Sequence, residues 1–240
     1  MAVATAAAKR SEVRITHPER EVFSVGYTKQ DVVDYYRAVM TPLLDGIRDR
    51  PLSIIRCPDG VEAGCFFQKH TLPGLKRVHT IDLHEESGST GTYLYVRTPD
   101  EVIELVQFNA IEFHPWASTI KNTGVTDYLV FDLDPSTDVA WKTVVAGAEL
   151  LRERLGAIDL DSFVRTSGGK GLHVVVPLKP AVAWEKAKEF ARRFSERIVE
   201  EHPDGFIATA SKAKRGGLIF IDYLRNSRGA TSVASYSLRS

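Results

Sequence analysis

The 240-residue sequence has few cysteines and no apolar run long enough to cross a bilayer. Its two cysteines, Cys57 and Cys65, are too few for a disulfide framework, so we expect buried structural thiols in a reducing, cytosolic compartment. A zinc site formed by both cysteines and His70 is a less favoured alternative, because the spacing is irregular. Because no apolar run is long enough to span a bilayer, we expect no transmembrane segment and no membrane partner.

Net charge is also absent, since 31 lysines and arginines balance 31 acidic residues. This balance argues against a protein that coats nucleic acid without specificity. The C-terminal part differs, because Asp222 is the only acid between Phe206 and Arg239. The basic residues of that stretch should attract anions. They are Lys212, Lys214, Arg215, Arg225, Arg228 and Arg239.

The first residues, MAVATAAAKR, place small apolar side chains before the charges, which is the reverse of the order in a secretory signal. We therefore expect a disordered lead-in over residues 1–12. The folded region should cover residues 13–240, where the sequence has no internal repeat and no low-complexity linker.

Hydrophobic periodicity predicts a mixed α+β fold. The stretch YTKQDVVDYYRAVMTPLLDGIRD predicts a helix that Thr28 caps and that Pro42 kinks or divides. The link Ser167-Gly168-Gly169 is too short for a crossover, so it predicts an antiparallel hairpin. Further helices are predicted near 99–111, 140–155 and 184–201, and strands at 52–56, 78–83, 93–96, 128–134, 163–166, 172–177, 218–223 and 231–235.

The segment VFDLDPS places two acids one residue apart at the end of a buried strand. Asp132 and Asp134 should share one face, because side chains alternate along a strand. Asp222 lies in a second apolar strand, LIFIDYL, where an unpaired charge would be costly. Three acids from two strands match the carboxylates of a two-metal site. In the alternative, Asp222 only pairs with Arg225 or Arg239.

Two further segments carry residues suited to nucleotides. In RTSGGKGLHVVVP, glycines allow backbone N–H groups to approach a phosphate, and Ser167, Lys170 and His173 add donors. The alternative is a simple hairpin turn, since no Walker A spacing is present. In CFFQKH, the adjacent Phe66 and Phe67 suit base stacking, although such pairs are usually core residues.

In this order, the segments FFQKH, EFHPW, VFDLDPS, SGGKGLHV and IFIDYLRNSRGATSVASYSLR resemble the polymerase domain of bacterial ligase D. This family belongs to the archaeo-eukaryotic primase superfamily and works in non-homologous end joining. The resemblance extends from about Val13 to Arg239. It implies a primase-polymerase fold of two packed lobes with mixed and antiparallel sheets, of which the catalytic sheet is RNA-recognition-like, and an active site in the cleft between the lobes.

The resemblance also implies residue roles. Asp132, Asp134 and Asp222 would be catalytic and would bind two ions, Mn²⁺ or Mg²⁺. The nucleotide and the primer end would be bound by His114, Ser167, Lys170, His173, Arg225 and Arg239. DNA would be bound by Phe66, Phe67 and Lys69 near template bases, by Arg20 and Lys29 at a 5′-phosphate, and more distantly by Arg215. Without the resemblance, Arg20 and Lys29 would be read as solvated surface cations.

The activity so implied is extension of DNA ends and filling of gaps, with ribonucleotides preferred over deoxyribonucleotides. Ku and a DNA ligase, fused or separate, would be the partners, at the nucleoid in the bacterial cytoplasm. Two other functions stay open on the residues alone. FDLDPS also resembles the strand end of haloacid-dehalogenase-like phosphatases, with Asp132 as nucleophile, and a catalytically inactive module could bind DNA ends.

Overall fold

The computed structural model describes residues 13–85, 88–211 and 214–240. The expected disordered lead-in and Lys212 lie outside these ranges. Twelve strands and five helices follow one another along the described residues: β1 (Glu21–Phe23), β2 (Tyr27–Thr28), α1 (Lys29–Ala38), α2 (Met40–Ile47), β3 (Leu52–Arg56), β4 (Phe66–Gln68), β5 (His79–His84), β6 (Thr90–Tyr95), α3 (Pro99–Gln107), β7 (Ala110–Pro115), β8 (Val125–Pro135), α4 (Trp141–Gly156), β9 (Phe163–Thr166), β10 (Leu172–Ala183), α5 (Trp184–Glu201), β11 (Phe206–Ile207) and β12 (Ile219–Asp222).

The elements form two lobes, each with its own sheet and core. In the first lobe, the strand order is β4-β3-β6-β5, β7 also pairs with β3, and α1, α2 and α3 contribute to the core. In the second lobe, the order is β11-β12-β8-β10-β9, with α4 and α5 contributing to the core. The mixed α+β prediction is therefore confirmed. None of the helices in the described ranges is long and apolar enough to cross a membrane.

The helical segment near the start of the chain follows its predicted signals. Thr28 caps α1, where its side chain accepts a hydrogen bond from the backbone N–H of Asp31, and the Asp31 carboxylate accepts from the N–H of Thr28. The helix divides at Val39, and α2 continues beyond it. Pro42 has no N–H to donate to the preceding turn, which explains the division.

A small apolar cluster joins the lobes. Trp116, the residue after β7, packs edge-on against Tyr93 of the first sheet, and Trp184, the first residue of α5, belongs to the same cluster. The C-terminal segment then returns to the first lobe, where the N–H of Ala234 donates to the carbonyl of Phe113 at 2.8 Å. This return brings the last residues of the chain beside β7.

Two element predictions are wrong. The helix predicted over 99–111 ends at Gln107, because Asn109 adopts a left-handed conformation (φ +68°) that reverses the chain into β7. Residues 231–235 form no strand and share only an isolated bridge between Thr231 and Trp116. Val233 and Ala234 are nevertheless buried, so this apolar run reflects packing and not a strand ladder.

The prediction of free thiols is also wrong. Cys57 and Cys65 form a disulfide, which removes both sulfurs from the alternative zinc site. Cys57 directly follows β3 and Cys65 directly precedes β4, and the antiparallel register sets Arg56 opposite Phe66. The two cysteines therefore face each other at the closed end of the hairpin.

Candidate active site

The three acids lie on one face of the second sheet. β12 pairs antiparallel with β8 in a register that sets Asp222 opposite Asp132 and Phe220 opposite Asp134. Leu133, between the two β8 acids, is buried in the core on the other face. As strand alternation predicts, the sheet holds the three carboxylates together without disturbing the core.

Two opposed carboxylates repel each other, and Arg225 partly neutralises this pair. Its Nε lies 3.2 Å from Oδ2 of Asp222 and 3.6 Å from Oδ2 of Asp132. Burial raises the pKa of Asp132 to about 6. Burial is the largest contribution to this value, which also includes a lowering of the pKa by the charge of Arg225 and a raising by the charges of Asp222 and Asp134.

Asp134 has a different cationic partner. Nη1 of Arg215 donates to Oδ2 of Asp134 at 2.8 Å, and Nη2 donates to the carbonyl of Ala210 at 2.7 Å. The guanidinium also lies 3.8 Å from the ring centroid of Phe220, the residue opposite Asp134. Arg215 is thus held over the acidic face by three contacts.

The donor set suits a divalent cation. Asp132 and Asp222 offer only carboxylate oxygens, the ligands that Mg²⁺ and Mn²⁺ prefer, and a cation between them would relieve their repulsion. Within the described ranges, no three acidic, histidine or cysteine side chains are gathered into a complete ligand set. Asp134 would have to exchange Arg215 for a metal ion to complete one.

The turn between β9 and β10 packs so closely against Arg239 and Leu133 that two of its positions, 168 and 171, require glycine. Gly168 has φ +76°, and a Cβ there would lie 2.2 Å from Cγ of Arg239. A Cβ on Gly171 would lie 2.0 Å from the carbonyl oxygen of Leu133. The turn is therefore packed against β8 on one side and against the C-terminal segment on the other.

Hydrogen bonds within this turn hold the side chain of Ser167 in place. Oγ of Ser167 donates to the carbonyl of Gly171 at 3.0 Å and accepts from the N–H of Gly169 at 3.4 Å. Lys170 is exposed at the tip. The predicted hairpin between β9 and β10 is confirmed, and Ser167 and Lys170 line the same cavity as Asp132 and Asp134.

His173 is buried opposite Asp132 in the β8–β10 register. Nε of Arg165 donates to its Nδ1 at 3.2 Å, and its Nε2 lies 3.5 Å from Oδ1 of Asp132. Burial, followed by the charges of Arg165 and Arg225, lowers the pKa of His173 to about 3. The imidazole is therefore neutral at pH 7, with Nδ1 as acceptor and the proton on Nε2.

The cavity above the acids has a volume of about 270 Å³. It gathers residues from both lobes and from the C-terminal segment. The predicted residues that line it are His114, Asp132, Asp134, Ser167, Lys170, His173, Arg225 and Arg239.

The first-lobe wall of this cavity depends on Glu112. Its buried carboxylate accepts from Nε2 of His114 and from Nη1 of Arg239, both at 2.8 Å. Its other oxygen accepts from the N–H and Oγ of Ser240 at 2.9 and 2.7 Å. Burial raises the pKa of Glu112, but the His114 and Ser240 hydrogen bonds and the Arg239 charge outweigh burial, so the pKa lies below its ordinary value.

Glu112 and Arg165 are site residues that the sequence reasoning missed. Glu112 stands two residues before His114 and so shares its strand face, which is a signal within EFHPW. Arg165 alternates with Ser167 in the same way, and its Nη2 donates to Oγ of Ser232 at 2.7 Å. Both residues lie inside segments quoted above, but Arg239, Ser240 and Ser232, which contact them, come from the distant C-terminal part of the chain.

The residues predicted for template bases lie beside the cavity on β4. Phe66 and Phe67 are 46% and 51% exposed, so neither is a core residue. The Phe67 ring meets the His114 ring edge-on, with centroids 5.8 Å apart. Lys69 pairs with Glu85 at 2.8 Å. Of this exposed aromatic pair, Phe67 contacts the first-lobe wall of the cavity through His114.

Arg20 and Lys29 meet at the start of α1, where the N–H of Lys29 donates to the carbonyl of Arg20 at 2.8 Å. Lys29 is not a solvated surface cation, because it is 4% exposed and its ammonium donates to the carbonyls of Thr16 and Gln107. Burial, with a smaller contribution from the Arg20 charge, lowers the pKa of Lys29 to about 8. Arg20 donates to Asn109, and its buried Nε has no hydrogen-bond partner within the described residues.

The chain is similar to known proteins over most of its length. Residues 28–240 match the family described as LigD, primase-polymerase domain. The multifunctional non-homologous end joining protein LigD of Pseudomonas aeruginosa is 37% identical over 232 residues, which cover 95% of this chain and 27% of that protein. The LigD protein of Mycolicibacterium smegmatis is 31% identical, with 95% and 30% covered. The chain thus spans less than a third of these relatives.

A solved structure shows the same fold. The polymerase domain from Mycobacterium tuberculosis ligase D, in complex with DNA, matches with a TM-score of 0.89 and 31% sequence identity. The match covers 95% of this chain and 83% of the other. The likeness therefore includes both lobes.

Proposed function

The chain belongs to the LigD primase-polymerase domain family of nucleotidyltransferases, and on this basis we propose that it extends DNA ends and fills gaps during non-homologous end joining. One observation carries the proposal. Asp132, opposite Asp222 on the sheet, faces the same cavity as Ser167 and Lys170 of the β9–β10 turn. A carboxylate set and a phosphate-binding turn are what nucleotidyl transfer requires on two sides of a triphosphate.

Asp132, Asp134 and Asp222 would hold two divalent ions, Mg²⁺ or Mn²⁺. These ions would supply Lewis-acid stabilisation of the charge that develops on the transferred phosphoryl group. The same acids form a cation-binding face on which a primer 3′-hydroxyl can be brought in line with the α-phosphorus. As the 3′-oxygen bonds to this phosphorus, the hydroxyl proton passes to solvent and the bond to pyrophosphate breaks.

The cavity side chains bind and orient the triphosphate in this proposal. Lys170 contributes a mobile positive charge, and Ser167 contributes a hydroxyl beside glycine N–H groups. His173 is neutral with its proton on Nε2, so it can donate to a phosphate oxygen and adds no charge. Arg225 and Arg239 provide guanidinium groups that suit phosphate geometry.

DNA would lie along the first lobe and its edge. Phe66 and Phe67 offer exposed rings on which unpaired template bases can stack, and Lys69 adds a charge for the backbone. Arg20 and Lys29 would bind a downstream 5′-phosphate, because both cations lie at the start of α1, where the positive end of the helix dipole favours an anion. Nε of Arg20, which has no hydrogen-bond partner in the described part of the chain, would supply a further donor.

The finer parts of the proposal rest on the family. From the family we infer a preference for ribonucleotides and a domain that extends over residues 13–240. We also infer that Ku and a DNA ligase are partners and that the protein acts at the nucleoid in the cytoplasm. The P. aeruginosa relative bears the name of a multifunctional end-joining protein, which supports a role beside ligation. Membership of this family also argues against the phosphatase alternative.

A primer-extension assay tests the proposal. The chain is given a gapped duplex with either NTPs or dNTPs, and with either Mg²⁺ or Mn²⁺. We expect template-directed addition with release of pyrophosphate, faster with ribonucleotides. Phosphate release from a monoester without extension would support the phosphatase, and DNA binding without extension under every condition would support the inactive binding module.

A further inference from the structure

The carboxylate of Glu112 is the most heavily engaged acid near the cavity, yet it does not line the cavity itself. It is 1% exposed, and four donors converge on its two oxygens. One oxygen accepts hydrogen bonds from His114 and Arg239, and the other accepts hydrogen bonds from the backbone N–H and the hydroxyl of Ser240. The two side-chain donors on Oε2 are residues assigned above to the nucleotide.

We propose that Glu112 is a positioning residue that couples nucleotide binding by His114 to nucleotide binding by Arg239. The proposal rests on the function proposed above. Glu112 reaches the nucleotide only through these two side chains, which it holds on a single carboxylate oxygen.

The coupling extends across the cleft through Arg239. Glu112 belongs to β7 of the first lobe, whereas Cγ of Arg239 packs against Gly168 in the turn of the second lobe. A Cβ on Gly168 would lie 2.2 Å from that atom, so the side chain and the turn fit tightly. A carboxylate of one lobe therefore fixes the side chain that packs on the phosphate-binding turn of the other.

The coupling reaches the template side through His114. Because an ionised carboxylate only accepts hydrogen bonds, Glu112 fixes the proton of His114 on Nε2 and leaves Nδ1 as the nitrogen that can bind a ligand. The same ring packs edge-on against Phe67. Loss of Glu112 should loosen both the tautomer and the orientation of His114.

Glutamine cannot replace Glu112, although the two side chains have nearly the same shape. A glutamine has one acceptor oxygen and one donor nitrogen. Its nitrogen must face either the His114–Arg239 pair or the two Ser240 donors. In either orientation, Glu112→Gln loses a contact and removes the negative charge that holds Arg239, while the volume of the core is unchanged.

Steady-state kinetics with a matched control test the proposal. We expect Glu112→Gln to raise the nucleotide KM at least tenfold, with a smaller change in the affinity for DNA. Glu104→Gln is the control, because Glu104 is equally buried in the first lobe and accepts from three backbone N–H groups, those of Lys76, Arg77 and Val78. This control should lower the melting temperature and leave KM unchanged. Equal KM values for Glu112→Gln and wild type would overturn the proposal.

Adding Glu112→Gln to a double mutant distinguishes a positioning role of Glu112 from an effect on general stability. In a His114→Ala, Arg239→Met background, Glu112 has no nucleotide ligand left to position, so adding Glu112→Gln should change KM less than about twofold. A further tenfold loss in that background would overturn the proposal. Arg239→Met keeps the aliphatic stem over Gly168.

A spectroscopic reading is independent of catalysis. In ¹⁵N-histidine spectra of the protein without nucleotide, His114 should show a proton on Nε2, and Glu112→Gln should shift or broaden this signal. An unchanged signal would overturn the role of Glu112. If this signal responds as expected but wild type binds no nucleotide, the function proposed above fails instead, and Glu112 positions His114 for another ligand.

Discussion

Asp222 of β12 lies directly opposite Asp132 of β8, and the guanidinium of Arg225 approaches both carboxylates. Each acid is largely shielded from solvent, with 15% and 17% of its side chain exposed. Repulsion between them is therefore weakly screened, and a single arginine offsets only part of it. The sheet holds its acids in an arrangement that an added cation would stabilise.

This repulsion predicts the effect of Asp222→Asn on stability without divalent ions. Removing one charge should leave the free energy of unfolding unchanged or raise it by up to about 1 kcal/mol. Asparagine keeps the acceptor that Oδ1 of Asp222 offers to the N–H of Leu224. Thermal unfolding in a chelator measures the change.

Asp138→Asn is the matched control for this measurement. Asp138 is exposed, and its carboxylate accepts from Ser136 and from the N–H of Gly217. Its loss of charge should not stabilise the protein, because the hydrogen bonds from Ser136 and Gly217 favour the charged form and lower the pKa of Asp138. A melting temperature of Asp222→Asn several degrees below that of wild type would contradict the claim that repulsion between Asp132 and Asp222 destabilises the metal-free protein.

The contact between Arg215 and Asp134 predicts competition with metal ions. Arg215→Gln removes the cation that binds Asp134 at 2.8 Å, so Mn²⁺ should bind several-fold more tightly. Calorimetric titration with Mn²⁺ measures this. Unchanged or weaker Mn²⁺ binding would show that Arg215 does not compete for the metal site.

Lys170 should act on the nucleotide more than on DNA. Loss of one charge-assisted contact costs about 1.5–3 kcal/mol, or roughly ten- to a hundredfold. Lys170→Ala should therefore raise the nucleotide KM by this factor and leave the Kd for primer DNA nearly unchanged. Lys142→Ala, an exposed lysine on α4, is the control. Equal losses for DNA and nucleotide would remove Lys170 from the triphosphate site.

The lowered pKa of Lys29, about 8, predicts how recognition of a 5′-phosphate depends on pH. The ammonium is charged below this pH and loses its charge above it, so a 5′-phosphate should be preferred over a 5′-hydroxyl at pH 7, with the preference falling between about pH 8 and pH 9. The ratio of the two Kd values for gapped duplexes reports the preference.

Lys29→Met should abolish this pH dependence. Because it leaves the partly buried carbonyls of Thr16 and Gln107 without their donor, its melting temperature should also fall, and binding must be measured well below that temperature. A ratio near one in the wild type at pH 7, or the same pH dependence in the variant, would place the phosphate elsewhere.

Much of the site could be predicted from the sequence because its determinants are local. Alternation along VFDLDPS sets Asp132 and Asp134 on one face, and the glycines after Ser167 allow a tight hairpin. The pairing of β12 with β8 was not needed to identify Asp222, since an acid in so apolar a strand is itself a signal.

The rest depends on contacts between distant residues. The C-terminal segment returns to the first lobe and brings Arg239 to Glu112, across 127 positions, and no local pattern reports that path. The disulfide follows from the β3–β4 register, which the spacing of Cys57 and Cys65 does not reveal. Asn109 ended a helix whose apolar pattern continued, because one left-handed residue suffices to reverse the chain.

Extension of a primer by Asp222→Asn tests the central claim most directly. The substrate is a gapped duplex with a 5′-phosphate, with ribonucleotides and Mn²⁺, and Asp138→Asn serves as the control of equal charge. The account predicts that wild type and Asp138→Asn extend the primer, whereas Asp222→Asn, folded and able to bind the same DNA, retains no more than a few per cent of the rate. Extension by Asp222→Asn at a rate close to wild type would contradict the assignment of these carboxylates to catalysis.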